Sequence, residues 1–309
     1  MTPGVLILTG QTASGKSALA LQLAERFGAE IVGADSRQIY RGMPIGTAAP
    51  SDADRARVPH HLVGFVDPHE RYSAARFVHD ALAAIDAIHA RGRRAIVAGG
   101  TGFYLRALAG DVALSPVRDE SLRERLAREA RIHPADVLYD WLRALDPALA
   151  QRVPAHDSYR VTRALEIALA ARTSAGSAGV ERDPNLRVRG IPYRKLYLDV
   201  ETDVLLQRIE DRVDAMLAAG LLDEAERIGP DAVAADAVGY REALAYRAGW
   251  STRAEMRAHL VRNTRRYAKR QATWFRTEPD MTYLAPGDAL ASASRVLETL
   301  RGGDVPGVR

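Results

Sequence analysis

Apolar and polar positions along this chain follow two rhythms. Val5-Leu6-Ile7-Leu8-Thr9 is an unbroken apolar run with the length and β-branched content of a buried strand, and it passes directly into glycine. Behind it, Ala18-Leu19-Ala20-Leu21-Gln22-Leu23-Ala24 combines good helix formers with helical apolar spacing, so a helix is expected from Lys16 to about Phe27. The alternation then repeats. A strand over Glu30–Ala34 ends at Asp35-Ser36, and a loop rich in Pro, Gly and Asp is read over Met43–Arg71. A helix over Ser73–Ala90 follows, then a strand over Ala95–Ala98 that is stopped by Gly99-Gly100-Thr101-Gly102. Strands alternating with helices imply parallel pairing in a doubly wound α/β sheet, with ligands at the carboxyl ends of its strands.

From about Leu114 to Thr173 the strand rhythm disappears. Helices with charged faces are expected over Arg118–Arg131, Ala135–Leu145 and Ser158–Ala171, and together they read as an all-helical insertion. A loop over Ser174–Pro192 leads back to a strand, Lys195–Val200. Helices then run over Asp203–Ala219, Leu222–Ile228, Arg241–Ala248 and Thr252–Phe275, before a short strand, Met281–Leu284, and a last helix, Ala289–Leu300. The expected organisation is an α/β core over residues 1–113, an insertion over 114–192, and a return to the core over 193–309. A frayed tail is expected after Arg301.

Composition narrows the field. A chain of 309 residues with 47% hydrophobic content can bury a full core, and no run reaches the length of a membrane span. The first strand begins within a few residues of Met1 and leaves no room for a signal peptide, so a cytoplasmic protein is expected, as a monomer. With no cysteine, disulfides, zinc fingers and thiol chemistry are excluded. Net charge is only +4, yet the isoelectric point is about 9.4, which directs attention to local basic clusters.

The strongest chemical signal is Gly10-Gln11-Thr12-Ala13-Ser14-Gly15-Lys16-Ser17, a phosphate-binding P-loop between strand and helix. Its glycines let backbone N–H groups curl around phosphate oxygens, Lys16 adds a mobile charge, and the Ser17 hydroxyl can ligate Mg²⁺. The core is therefore expected to be P-loop NTPase-like. Asp35, at the carboxyl end of the second strand, is placed to act as a general base or metal ligand, or simply as a capping residue of its loop. The place after the third strand where many P-loop hydrolases carry a Mg²⁺-holding aspartate has Gly99-Gly100-Thr101-Gly102 instead, which suits group transfer better than motor work or serves only as a turn. Arg208 and Arg212 lie one helical turn apart, and either can reach a phosphate or face solvent.

The stretch Arg253–Arg276 carries eight Lys and Arg against one acid, Glu255. Arg262, Arg266, Lys269, Thr273 and Arg276 share one helical stripe, while Val261, Thr264, Ala268, Ala272 and Phe275 share another. A polyanion-binding helix is favoured, with Tyr267 and Trp274 available to stack on bases or to anchor the core.

Taken together, these segments resemble the bacterial tRNA dimethylallyltransferases, also called tRNA isopentenyltransferases. The resemblance is carried by Gly-Gln-Thr-Ala-Ser-Gly-Lys-Ser at 10–17, Asp-Ser-Arg-Gln-Ile-Tyr-Arg-Gly-Met-Pro-Ile-Gly-Thr at 35–47, Pro-His-His-Leu at 59–62, Tyr-Ser-Ala-Ala-Arg-Phe at 72–77 and Gly-Gly-Thr-Gly-Phe-Tyr at 99–104. Arg-Val-Thr-Arg-Ala-Leu-Glu at 160–166, Val-Gly-Tyr-Arg-Glu at 238–242 and Thr-Arg-Arg-Tyr-Ala-Lys-Arg-Gln-Ala-Thr-Trp-Phe-Arg at 264–276 continue it in order. Gln11 departs from the family's usual proline and Ser17 from a common threonine, and the linker at Ser174–Asn185 follows no family pattern.

The resemblance implies that the P-loop holds the diphosphate of dimethylallyl diphosphate, and that the acceptor is N6 of the adenosine just 3′ of the anticodon in tRNA. It implies Asp35 as base, and Lys16, Arg212 and Mg²⁺ at Ser17 as stabilisers of the departing diphosphate, with Thr101 catalytic. Thr101 and Arg123 match positions that contact tRNA near the target base. Ser36, Arg37 and Gln38 would read the extruded base. Tyr159, Arg160, Val161, Thr162 and Arg163 would grip the anticodon stem-loop, as would Val238, Gly239, Tyr240, Arg241 and Glu242. Lys269, Arg270, Gln271, Thr273, Trp274 and Arg276 would do the same, with the insertion as a clamp. Rival readings are a small-molecule kinase using ATP at the same loop, a prenyltransferase of free adenine nucleotides, and a non-catalytic RNA-binding P-loop protein.

Overall fold

The computed structural model describes residues 3–112, 114, 120–173 and 184–300. The start of the first expected insertion helix, most of the linker and the expected frayed tail lie outside these residues. The chain forms two compact units, Met1–Val112 with Pro184–Arg309, and Ala113–Asp183.

The first unit is built on a six-stranded, all-parallel sheet. Its strands are β1 (Val5–Gly10), β2 (Ala29–Gly33), β3 (His60–His61), β4 (Arg94–Ala98), β5 (Tyr193–Leu198) and β6 (Met281–Leu284), arranged β3-β2-β4-β1-β5-β6. β1 lies at the centre, with Leu6 opposite Ile96 on one side and Arg194 on the other. Its six residues are all buried, which is why the sequence reads there as a continuous apolar run rather than an alternation.

Five helices precede the insertion: α1 (Lys16–Phe27), α2 (Pro44–Thr47), α3 (Asp52–Arg57), α4 (Ala74–Ala90) and α5 (Gly102–Ala109). The stretch Met43–Arg71 is thus not a plain loop. Ser51 and Asp54 form a reciprocal capping box that starts α3, and Pro44 opens α2. Most other boundaries shift by one residue, because capping side chains such as Ser73 and Thr252 stand just outside their helices.

The second unit contains α6 (Glu120–Ile132), α7 (Ala135–Leu145), α8 (Pro147–Ala150) and α9 (Ser158–Thr173). Leu126, Leu138, Leu142, Val161, Ala164, Leu165 and Ala168 form its own core. The return segment from Pro184 belongs to the first unit, not to the insertion. Leu186 is fully buried, and its N–H donates to Leu108 O.

Beyond β5 come α10 (Thr202–Ala218), α11 (Leu221–Ile228), α12 (Tyr240–Arg247), α13 (Arg253–Phe275) and, after β6, α14 (Ala289–Thr299). One core cluster joins β1, α1, α10, α13 and α14. A second packs Ile39, Tyr40, Met43 and Val66 against Ala225, Ile228, Tyr240 and Ala243, which fixes the segment following β2 onto α11 and α12.

Candidate active site

The carboxyl ends of β1, β2 and β4 are tied together by their backbones. Gly99 N–H donates to Leu8 O, Ala34 N–H to Ala98 O and Thr101 N–H to Ala34 O. A Cβ added to Gly99 would lie 2.1 Å from Ala34 O, on Gly100 2.2 Å from Gln271 Nε2, and on Gly102 2.2 Å from the Trp274 ring. These glycines serve close approach, and the approaching groups belong to the protein itself.

The P-loop curls through two left-handed residues, Ala13 (φ +63°) and Gly15 (φ +94°), and Ser14 N–H donates to Gln11 O. Lys16 Nζ folds back to Gln11 O at 3.2 Å. Ser14 Oγ is buried and has no hydrogen-bond partner, whereas Ser17 is exposed at the first turn of α1. The loop is braced from outside by α13. Gln11 Nε2 donates to Ala268 O at 3.1 Å, Gln271 Oε1 accepts Thr12 N–H at 2.7 Å, and Gln271 Nε2 donates to Gly100 O at 3.0 Å. Two of the loop's N–H groups are therefore engaged within the protein, that of Thr12 by Gln271 and that of Ser14 by Gln11.

Asp35 follows β2 directly and organises the turn after it. Its Oδ1 accepts the N–H of Arg37 at 2.9 Å and of Gln38 at 3.4 Å. Thr101, the residue that begins α5, accepts Ser36 N–H at 2.9 Å and donates to Ser36 Oγ at 3.3 Å, so its hydroxyl shapes the Asp35 turn. Burial pushes the Lys16 ammonium down to about 8, an effect that Asp35 opposes and Arg212 reinforces. Burial also lowers the Arg212 guanidinium from its ordinary value, again against the pull of Asp35. The Tyr267 phenol is pushed up by burial and by the Asp35 carboxylate.

These groups line one cavity of about 360 Å³ that includes Thr12, Lys16, Ser17, Asp35, Ser36, Arg37, Gln38, Arg212, Arg241, Tyr267 and Arg270. Arg208 lies outside its lining. Its Nη1 donates to Ser14 O at 3.1 Å, so Arg208 holds the loop while Arg212 faces the cavity. The same lining includes the apolar side chains of Ile209, Val213, Met216, Val238 and Leu260. The sequence pattern shows those α10 positions only as a core-facing stripe, because periodicity cannot separate a helix face that packs from one that lines a cleft.

The remaining sequence-derived positions fall into distinct settings. Gly239 (φ +106°) begins α12, with its N–H held by Glu242 Oε2 at 2.8 Å, and Glu242 Oε1 accepts Asn263 Nδ2 at 2.6 Å. Tyr240 is fully buried and donates to Glu224 Oε1 at 2.6 Å. On α13, Arg262, Arg266, Lys269, Arg270, Thr273 and Arg276 are exposed, while Gln271 is buried. Trp274 packs on Gly102, with the Arg106 guanidinium 4.4 Å from its ring centre. In the inserted unit, Arg123 lies on α6, and on α9 Tyr159 is 73% exposed and Val161 fully buried. Thr162 donates to Ser158 O, and Arg160 and Arg163 pair with Asp157 and Glu166.

Two cavity neighbours carry no signal in the sequence. Asp236 pairs with Arg37 at 2.6 Å across 199 residues. Glu224, completely buried, accepts the N–H groups of Ile45 and Gly46 at the start of α2. Among the described residues no cluster of three or more His, Cys, Asp or Glu could hold a metal on its own, and no helix is long and apolar enough to cross a membrane.

Comparison with known proteins places this geometry in context. The family model described as IPP transferase matches residues 38–278, and that described as isopentenyl transferase matches residues 3–66. The tRNA dimethylallyltransferase of Geobacter sulfurreducens is 44% identical over 287 residues, covering 91% of both chains. That of Halorhodospira halophila is 43% identical over 297 residues, covering 94% of this chain and 95% of its own. Among solved structures, the tRNA isopentenylpyrophosphate transferase of Bacillus halodurans is similar at a TM-score of 0.69 and 35% identity, with 96% of each chain covered. A eukaryotic dimethylallyltransferase acting on tRNA is similar at a TM-score of 0.74 and 27% identity, covering 94% of this chain and 77% of its own.

Proposed function

This chain belongs to the IPP transferase family, and from that premise we propose that it transfers the dimethylallyl group of dimethylallyl diphosphate to N6 of the adenosine 3′-adjacent to the anticodon in tRNA, releasing diphosphate. The observation that carries the reading is the composition of one cavity: a phosphate loop with Lys16 and Arg212, a carboxylate at Asp35, and apolar side chains in the same lining.

The chemistry follows from those groups. The N6 lone pair is delocalised into the purine ring, so N6 attacks the allylic carbon efficiently only if its proton leaves as the C–N bond forms. Asp35 accepts that proton. The electrons of the breaking C–O bond depart with diphosphate, whose growing charge is met by loop N–H groups, Lys16 and Arg212. The buried, unpartnered Ser14 Oγ supports a phosphate oxygen in the cradle. The donor set also fits Mg²⁺. Ser17 would hold it together with phosphate oxygens and water, and it would supply further neutralisation of the diphosphate. The methyl-bearing end of the donor is complementary to Ile209, Val213, Met216, Val238 and Leu260. The acceptor base must leave its stack to enter such a cavity.

The basic face of α13 favours a polyanionic acceptor over a free nucleotide, since a small acceptor requires no such stripe. Incubation with labelled dimethylallyl diphosphate and unmodified tRNA, with ATP and free AMP in parallel, tests the proposal. Label is expected in tRNA. Label only in AMP, or phosphate transfer from ATP alone, would overturn it.

A further inference from the structure

The cavity of the candidate active site is not the only space along α10. A groove of about 860 Å³ is lined by Gln11 and by residues of α10 and α13, with Leu205, Leu206, Ala258, Val261, Ala268 and Ala272 as its apolar side chains. Chain neighbours fall to different sides: Thr12 lines the cavity and Gln11 the groove, and Leu260 lines the cavity and Val261 the groove. Among the described residues, Ile209 alone borders both. It is fully buried.

Ile209 is held in place from two directions. Arg208, the residue before it, donates to Ser14 O at 3.1 Å and ties that turn of α10 to the phosphate loop. Glu210, the residue after it, pairs with Arg265 and ties the same turn to α13. Branching at Cβ leaves an isoleucine within a helix one strongly preferred χ1. Neither backbone nor side chain can swing aside cheaply, so Ile209 is a fixed partition.

The partition closes the apolar part of the cavity. Ile209, Val213 and Met216 follow one another at helical spacing, and burial deepens along them from Met216, partly buried, to Val213 and Ile209, both buried. With the diphosphate held by Lys16 and Arg212, the hydrocarbon of the donor is left to this stripe, where contact with apolar side chains stabilises it. The cavity measures about 360 Å³ and must also admit the acceptor base. A further isoprene unit finds room only beyond Ile209.

On the reading of the site given above, we infer that Ile209 is a specificity-determining residue that sets the length of the allylic donor. It stops the hydrocarbon at one isoprene unit, and shortening its side chain joins the cavity to the groove, so that a donor longer by one unit is accepted. The bonds made and broken stay the same. The donor C–O bond breaks with its electrons leaving on diphosphate, the C–N bond forms at N6, and the N6 proton passes to Asp35; only the remote end of the chain differs.

The test is prenylation of unmodified tRNA with geranyl diphosphate and with dimethylallyl diphosphate, read as the ratio of their kcat/KM values. The wild-type chain is expected to favour the shorter donor. In Ile209→Ala the ratio should shift toward geranyl diphosphate by about tenfold or more. Ile209→Val, which disturbs the core less, should shift it the same way by a smaller factor. Two further variants separate an opened partition from a loosened core. Val213→Ala shortens a buried neighbour that borders the cavity and not the groove, and it should leave the ratio unmoved. Leu206→Trp added to Ile209→Ala refills the groove from its own side and should cancel the shift. An unchanged ratio in both Ile209 variants, an equal shift in Val213→Ala, or equal use of the two donors by the wild-type chain overturns the inference. A wild-type chain that transfers neither donor to tRNA would instead remove the functional reading beneath it.

Discussion

At Asp35 one carboxylate oxygen shapes the turn and the other is available to the substrate, so the two roles can be separated. Asp35→Asn keeps an acceptor for the Arg37 and Gln38 N–H groups but cannot take a proton. Single-turnover prenylation is expected to slow by at least about 100-fold, while tRNA affinity changes little. Equal rates would remove Asp35 as the base. Lys16 gives a pH signature. With its ammonium lowered to about 8, it is charged below that pH and loses its proton above it. On the proposed role of Lys16 the charged form binds diphosphate, so donor affinity is expected to hold below about pH 8 and to weaken above it, with a slope of at most about tenfold per pH unit. Titration calorimetry across that range should show a much flatter profile in Lys16→Met. Residues of this kind were legible in the sequence because the P-loop and the Asp35 turn are local, with spacing and chemistry carried within a few positions. Their supports were not. The Gln271 amide meets Thr12 across 259 residues, and Glu224 meets Ile45 across 179. No window of the sequence holds both partners.

Among the elements, α13 was the most readable, because 3.6-residue spacing separates a buried face from a basic one over 23 residues. The structure divides its cations further. Arg257 is paired by both guanidinium arms to Asp214, at 2.6 and 2.7 Å, and Arg265 is paired to Glu210, whereas Arg266 and Lys269 are exposed without such partners among the described residues. Binding of tRNA is therefore expected to weaken steeply with salt. Arg266→Ala or Lys269→Ala should each lower the slope of log K against log salt by about 1, and Arg257→Ala should lower it hardly at all. A uniform response of all three would argue against this division. The short helix α2 was unreadable for the opposite reason. Four residues carry no periodicity, and its first N–H groups are satisfied by a carboxylate on α11.

On the scale of the whole molecule, the parallel sheet was evident from alternating strand and helix patterns, but the sequence did not disclose the charges buried beside it. Lys195, on β5, is 2% exposed and pairs with Glu278 at 2.7 Å and with Asp111. Arg106 and Arg187 complete the cluster on Glu278 and Asp111, so three cations share two carboxylates. Removing an acid should therefore cost more than removing Lys195. Glu278→Ala is expected to lower unfolding free energy by about 3 to 5 kcal/mol, whereas Lys195→Met leaves two matched pairs and costs less. Urea denaturation monitored by far-UV circular dichroism distinguishes the two.

Gln271 gives the molecule a property that neither loop nor helix has alone. The same side-chain amide grips the phosphate loop at Thr12 and the β4 terminus at Gly100, and it sits on the helix whose outer face carries the exposed cations. The amide joins loop and helix directly, and reciprocity governs whatever coupling runs between ligands on the two. Whatever factor a bound diphosphate imposes on RNA affinity, RNA must impose on diphosphate affinity in equal measure, so the order in which substrates arrive leaves the stability of the ternary complex unchanged.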